Sequence, residues 1–395
     1  MGSSNLDDVT PPEPAPDAAP KPTSWARGAA LRGLVALPLV AGLATAGWLV
    51  TREDAPAAAP PPVPVPAAKT GAPASGPSVL EVSAPVKATE PSQGGASGGR
   101  NPLQDWADKL AGPLDIPANA LIGYANGELQ LRSEQPGCHL SWVTLAGVGS
   151  AHSNHGRTAD PRRGPLGLSP AQWAKYGGGV PGIAKPAVTD LDSASVAAGR
   201  ALCSGGGDLG GGNGWWKAVA NYKSLAGGGN DTGSDAASAG KSTSAELFRQ
   251  RVLGTAQLYA TLSLDPAKSG TPAVRATRFA LGQLGLPYVW GGNGPEAGSA
   301  GFDCSGLTKA AYDSAGVALP RTAHTQYLAT QRVPGDQEPK LGDLVFYGNP
   351  AVDIHHVGLY LGNGLMINAP TEGQAVQIHT YHTRGDDYAG AGRPA

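Results

Sequence analysis

The chain has 395 residues, with 29 basic and 31 acidic side chains and a formal net charge of −2. That balance offers no strong electrostatic pull toward nucleic acid, and the glycine runs lack the lysine of a phosphate-binding loop. With 58 Gly and 36 Pro, the chain is too rich in breakers for one compact domain, so two domains with tails and linkers are expected.

Residues 1–27 are polar and rich in Pro, Asp and Ala, which predicts a disordered tail. Within residues 28–52, Gly33 to Val50 is an uncharged apolar run of 18 residues, near the minimum for a membrane-spanning helix. Arg27 and Arg32 upstream favour a cytoplasmic N-terminus and an extracellular C-terminus. A cleaved signal peptide is the alternative, because Ala44-Thr45-Ala46 has the small residues of a cleavage site; the chain would then be secreted. Residues 53–101 are Pro/Ala-rich and then Gly/Ser-rich, which predicts a semi-stiff spacer.

Residues 102–264 read as a mostly helical domain. Helices are expected from Pro117 to Ala125, over Cys138–Gly156 with Leu140, Val143, Leu145 and Val148 inward, over Gly164–Gly177, over Ala197–Cys203 and over Trp215–Leu225. This region resembles the lysozyme-like lytic transglycosylases, in particular the membrane-bound type B group and its actinobacterial relatives. That resemblance implies a glutamate as general acid and base, at the position occupied here by His152 in Gly149-Ser150-Ala151-His152-Ser153-Asn154-His155-Gly156. The segments Gly164-Pro165-Leu166-Gly167-Leu168 and Ala220-Asn221-Tyr222 also depart from the family pattern. Protonating a glycosidic oxygen calls for a carboxyl group with a raised pKa, and histidine suits an oxocarbenium-like transition state poorly. The domain is therefore expected to be inactive on glycan and kept for binding wall or partner. Replacement of the missing acid by Glu128 or Glu134 would instead make the protein bifunctional.

Residues 265–395 carry the clearest chemistry. In Gly301–Tyr312, Asp303-Cys304-Ser305 precede a helical pattern of Leu307, Ala310 and Ala311. A thiol in that first turn meets unpaired N–H groups and the positive end of the helix dipole, which favour the thiolate. Asp353 to Tyr360 reads as a strand carrying His355 and His356, and Leu365 to Ala369 as a second strand beyond the Gly362-Asn363-Gly364 turn. Neighbouring strand residues face opposite sides, so only one of the two histidines can face the cysteine. Asp353 is expected to end a loop, and His324 and His379 to be surface or structural histidines.

From about Val274 to Ala395, roughly a third of the chain, the sequence resembles the NlpC/P60 cysteine peptidases of bacterial cell walls. The resemblance rests on Leu286-Pro287-Tyr288-Val289-Trp290-Gly291-Gly292, Phe302 to Leu307, Leu319-Pro320-Arg321-Thr322, Gly342 to Tyr347, His356 to Gly364 and Met366 to Pro370, in that order. It implies an α+β, papain-like domain that cuts peptidoglycan stem peptides, most often between D-glutamate (through its γ-carboxyl) and diaminopimelate. It also implies Cys304 as nucleophile, His356 as base, Asn368 as the residue orienting the imidazole, and Tyr288, Asp303 and Ser305 around the oxyanion and substrate. A thiolate–imidazolium pair near neutral pH is the expected resting state. No metal or other cofactor is implied.

With Cys304 as a free nucleophile, Cys138 and Cys203 remain; outside the cytoplasm they would close a loop of about 65 residues, worth roughly 4 kcal/mol, and otherwise they are buried thiols. Two such domains behind a membrane helix resemble the wall hydrolases of conjugation systems in Gram-positive bacteria. That likeness implies peptidoglycan, the membrane and secretion-channel proteins as partners. The competing class is a scaffold that binds wall and partners without turnover.

Overall fold

The computed structural model describes residues 78–85, 101–205, 207–226 and 243–395. The expected tail, the apolar run at 33–50, most of the spacer and the Gly/Ser-rich stretch at 227–242 lie outside the described residues. Among the described residues, no helix is long and apolar enough to cross a membrane.

The helical region comprises α1 (Pro102–Leu114), α2 (Ala118–Glu134), α3 (Trp142–Ser153), α4 (Pro170–Tyr176), α5 (Leu191–Cys203), α6 (Gly212–Ala226) and α7 (Ser244–Leu264). Small residues let these helices close on one another: a Cβ on Gly127 of α2 would come within 2.9 Å of Ser195 on α5 and of Leu145 on α3. Two helices are shorter than the sequence pattern predicts. A 3-10 turn at Pro136–Cys138 precedes α3, and Asn154 ends it in the left-handed region at φ 47°. Over 164–177 only α4 is helical, because Gly164 and Gly167 take φ values of 64° and 70° and a Cβ on Gly164 would lie 1.8 Å from the Val188 carbonyl oxygen. Leu140, Val143, Leu145 and Val148 are all buried as expected. Cys138 and Cys203 form a disulfide joining the 3-10 turn to the end of α5.

The C-terminal region adds α8 (Pro272–Gly282), α9 (Cys304–Ser314) and α10 (Ala323–Ala329) to strands β1 (Gln331–Arg332), β2 (Leu344–Asn349), β3 (Asp353–Gly362), β4 (Leu365–Asn368), β5 (Gln377–Thr380) and β6 (Tyr388–Arg393). The strands form one antiparallel sheet in the order β1-β6-β2-β3-β4-β5. Alternation gives each face its own apolar set. Phe346, Val357, Leu359 and Ile367 join the main core, whereas Val345, Tyr347, Tyr360 and Met366 form a second cluster.

The two regions meet along α7. Val252, Leu253 and Ala256 are fully buried in a core continuous with the sheet, and a Cβ on Gly254 would lie 2.4 Å from Leu281 and 2.7 Å from Ile378. Gln250 Oε1 accepts from the Ile378 N–H at 2.7 Å. All the described residues belong to one compact unit.

One part of the expected spacer is built into that unit. Residues 78–85 run as an extended strap across both regions. Asn363 Nδ2, in the β3–β4 turn, donates to Ser78 O at 2.8 Å, and Leu80 N–H donates to Gln257 Oε1 at 2.9 Å. Ser141 Oγ donates to Val82 O at 2.6 Å, and the Ala84 N–H is shared between both Glu128 oxygens at 3.3 and 3.2 Å. Ala84 is itself buried. A Pro/Ala-rich composition concealed this because the partners are 59 to 285 residues away for the Ser141 and Asn363 bonds.

Candidate active site

Cys304 is the first residue of α9, and Asp303 caps the helix by accepting from Gly306 N–H at 2.6 Å. The same carboxylate reaches the preceding loop, accepting from Gly291 N–H at 3.0 Å. Arg321 clamps it with two bonds, Nη1 to Oδ1 at 3.0 Å and Nη2 to Oδ2 at 2.6 Å, and Nη1 also donates to Ser305 Oγ at 3.0 Å. Asp303 and Ser305 therefore tie α9 to its approach loop and to Arg321. Arg321 is the residue the sequence reading passed over. It stood in the Leu319-Pro320-Arg321-Thr322 motif, and the uncompensated acid at Asp303 was the available signal.

The thiol of Cys304 lies against β3, where the Val357 N–H donates to it, and the Ser305 N–H donates from its own helix. Val357 directly follows His356. On the far side of the imidazole, Asn368 Nδ2 lies 3.2 Å from His356 Nε2. Gly358 makes room for this arrangement, since a Cβ there would lie 2.7 Å from Met366 Sδ and 3.4 Å from the Asn368 Cβ. The fold thus gathers Cys304, His356 and Asn368 at one place. Among the described residues, the thiol and the imidazole share no hydrogen bond.

Asn368 Oδ1 is buried without a partner. Turning the amide about its axis exchanges the two atoms: Oδ1 then accepts from Nε2–H, and Nδ1 becomes the nitrogen free to take a proton.

Charge states differ from the sequence expectation. Burial pushes the Cys304 thiol up to about 11, with the Asp303 carboxylate acting in the same direction. Burial pushes His356 down to about 3, aided by His355 and His379 and opposed by Asp387. Both shifts favour a neutral thiol beside a neutral imidazole over the expected ion pair. The helix N-terminus favours the thiolate, but desolvation of the buried sulfur outweighs it.

Tyr288 stands beside the thiol. Burial raises its hydroxyl pKa, and the neighbouring Cys304 and Asp303 push it further. Its backbone is fixed by a bridge to Phe302 and by donation to Gln374 O at 2.8 Å. Next in the loop, Trp290 is 49% exposed. His355 turns away from the thiol and pairs with Asp387, Nε2 to Oδ2 at 2.6 Å. His324 Nδ1 accepts from the Ile354 N–H at 3.2 Å, and Asp353 is the first residue of β3, where the loop from β2 ends. A cavity of about 650 Å³ lies along α8 and the Gly306–Lys309–Asp313 face of α9. Its walls contain none of Cys304, His356 and Asn368, so cavity size does not mark the chemistry.

In the helical region, a smaller cavity of about 290 Å³ is lined by His155 and Arg157 among others. His152, in the last turn of α3, packs its ring 4.8 Å from Phe248 and 6.2 Å from Tyr222. Its Nε2 is buried without a partner, and burial pushes its pKa down to about 4. His155, given no role by the sequence, is bonded on both nitrogens, to the Tyr124 hydroxyl at 3.1 Å and the Tyr259 hydroxyl at 2.8 Å. Glu128 holds the Trp142 N–H at 2.8 Å, the strap and Arg132. Glu134 is paired with Arg200 at 2.6 Å.

A thiol at a helix N-terminus, set against a histidine strand of an antiparallel sheet, defines the papain-like cysteine-peptidase class. Residues 285–389 match the NlpC/P60 family. The C-terminal domain of this chain is an NlpC/P60 domain of that cysteine-peptidase type.

Among curated proteins, the "Probable endopeptidase p60" of Listeria monocytogenes is 50% identical over 102 residues, 26% of this chain and 19% of that protein. The "Bifunctional muramidase/DL-endopeptidase CwlT" of Bacillus subtilis is 47% identical over 96 residues, 24% of this chain and 28% of that protein. "Peptidoglycan endopeptidase RipA" of Mycolicibacterium smegmatis is 38% identical over 130 residues, 30% of this chain and 26% of that protein. The chain thus spans between 19% and 28% of these relatives' lengths.

Proposed function

We propose that this protein is a peptidoglycan hydrolase whose C-terminal domain is a cysteine endopeptidase acting on stem peptides. The observation that carries the reading is the placement of Cys304 against β3, one residue from His356, with Asn368 meeting the far nitrogen of the imidazole. Three relatives bearing the names endopeptidase or DL-endopeptidase support the reaction class.

Cys304 is the nucleophile, His356 the base and Asn368 the residue that orients the imidazole. Because the resting pair is neutral, proton transfer from the thiol to His356 Nδ1 accompanies attack on the stem-peptide carbonyl. The Cys304 N–H and the Tyr288 hydroxyl are the proposed donors to the developing oxyanion. The imidazolium then protonates the leaving amine, and water hydrolyses the thioester. The bond between D-glutamate (γ-linked) and diaminopimelate is the proposed target.

The helical region acts as a wall- or partner-binding module without glycan cleavage. Its former acid position holds a histidine kept neutral by burial, and Glu128 and Glu134 are both committed to structural bonds. A membrane-spanning segment within residues 28–52 places both regions on the wall side, where secretion-channel proteins are candidate partners. The apolar run and its upstream arginines support that topology.

The test is mass spectrometry of purified peptidoglycan digested with the full chain, beside Cys304→Ala. Stem-peptide fragments that vanish in the variant are the expected result and identify the bond. Anhydro-muropeptides made by both proteins would overturn the assignment of the helical region. An undigested wall would favour the scaffold.

A further inference from the structure

The mechanism leaves the cavity of about 650 Å³ beside α8 and α9 unused, although its volume is that of a small-ligand site. One rim is the loop from Asn293 to Ala297, and a glycine shapes it. Gly294 has φ 91°, and a Cβ there would lie 2.1 Å from the Phe302 ring, so the loop lies directly on that ring. Asn293 and Phe302 share a backbone bridge, Gly294 N–H donates to Gly301 O at 3.0 Å, and Ser299 N–H donates to Gly294 O at 3.0 Å. Backbone bonds therefore fix the rim before any ligand arrives, which lowers the cost of binding.

The charges around the cavity are unevenly committed. Lys309 pairs with Asp313 at 2.6 Å along α9, and Arg321 is held by Asp303 at 2.6 Å. Glu296 is exposed on the rim, and its carboxylate has no ion pair or hydrogen bond among the described residues. Phe279 and Phe302 supply apolar wall, and the Arg321 side chain stays 33% exposed beyond its clamp. An uncommitted carboxylate, two aromatic rings and a partly open guanidinium suit a short peptide with an ammonium group, small apolar side chains and a carboxylate. A stem peptide containing a diamino acid offers all three.

We propose that this cavity is a second stem-peptide site, separate from the cleavage site, in which Glu296 receives the side-chain ammonium of a diamino acid residue. The proposal rests on the peptidase reading and deepens it. The wall is a polymer with many stems, so holding one stem here while cutting another raises the effective concentration of substrate at Cys304. Arg321 lines the cavity and clamps Asp303, so one ion pair joins the cavity wall to the residue before the nucleophile.

The probe is a synthetic stem tripeptide that contains the γ-D-glutamyl–diaminopimelate bond. Calorimetric titration of the full chain as Cys304→Ala, in which nothing is cleaved, should find two sites. Adding Glu296→Gln should weaken one of them by about tenfold and leave the other unchanged, and Glu296→Asp should keep most of the affinity. With Cys304 intact, Glu296→Gln should slow fragment release from whole wall severalfold and leave the rate on the free tripeptide unchanged, because only the polymer links a second stem to the first. A titration that Glu296→Gln leaves untouched would overturn the proposal. So would a single site, weakened by Glu296→Gln, in a chain that does release stem fragments, because the cavity would then be part of the cleavage site. Binding weakened by Glu296→Gln in a chain that releases no fragments would keep the peptide site and discard the peptidase reading.

Discussion

The helical and α+β regions both bury histidines, carboxyls and tyrosines, yet they use them differently. In the helical region, two buried polar clusters close on themselves while His152 Nε2 stays without a partner: His155 is bonded on both nitrogens, and Glu128 accepts from two backbone N–H groups and Arg132. In the α+β region, the His356 imidazole is bonded on one nitrogen only, and the Cys304 thiol takes donors from the Val357 and Ser305 backbone and the Ser305 side chain. A satisfied network stabilises, whereas a base with an uncommitted nitrogen can accept a proton during reaction. The contrast teaches that an unpaired nitrogen signals chemistry where a nucleophile lies beside it, since His152 also has one but packs against Phe248 and Tyr222.

The sharpest way to break this contrast is to delete the open cluster. Cys304→Ser should reduce stem-peptide release by roughly a thousandfold or more, since a buried hydroxyl beside a weak base is a far poorer nucleophile. Asn368→Ala should lower it by about tenfold to a hundredfold, because the imidazole would lose its orienting partner. Fragment release timed by liquid chromatography measures both. Comparable activity in Cys304→Ser would mean that the cluster is not the catalyst.

Acid acts on buried histidines of both regions, His356 in the α+β region and His152 and His155 in the helical one. The helical pair can be tested apart from the reaction. His152 and His155 sit near 4 in the folded chain against an ordinary 6.5. Folding therefore weakens their hold on protons, and the unfolded chain takes up protons first as pH falls. Their contribution is full above about pH 6.5 and is lost toward pH 4, a few kcal/mol in all. Thermal midpoints measured from pH 7 to pH 4.5 should fall accordingly. The fall should be shallower in His152→Phe, where an apolar ring joins Phe248 and Tyr222 and nothing titrates. Parallel curves for parent and variant would locate the acid sensitivity elsewhere.

Local signals carried much of the architecture. Asp303 ahead of an apolar helical pattern predicted the capped start of α9 at Cys304, and the glycine turn at 362–364 predicted the β3–β4 hairpin. The meeting of Cys304, His356 and Asn368 was legible through the order of the motifs. Charge state was not, because the sequence exposes a helix N-terminus but not the burial that overrides it. Nor were the Arg321 clamp, the bulge at His355 or the Tyr124–His155–Tyr259 chain. Each depends on partners 18 to 104 residues apart in the clamp and the tyrosine chain, or on a register break that alternation conceals.

The strap is the feature that blurs the comparison, since residues 78–85 bind both regions, and it yields the smallest expected effect. Ala84→Asp would set a second carboxylate against Glu128 at a buried position, where like charges repel strongly. The strap should then leave its groove, the Ala84 and Trp142 side of α2 should loosen, and stability should fall by about 1–3 kcal/mol. A glutamate-specific protease reports this directly, because Glu81 lies within the strap: the variant should be cut there well before the parent. Asn363→Gly keeps the left-handed turn conformation (φ 51°) while removing the bond to Ser78, so it tests the other end alone. That bond is exposed, and its loss should change stability by less than about 1 kcal/mol. A larger effect from Asn363→Gly than from Ala84→Asp would mean that the α+β region, not Glu128, anchors the strap. Parent and variants cut equally fast at Glu81 would mean that the strap holds neither region, and the two would then be joined by α7 and by contacts such as Arg278 Nη2 donating to Pro113 O at 2.7 Å.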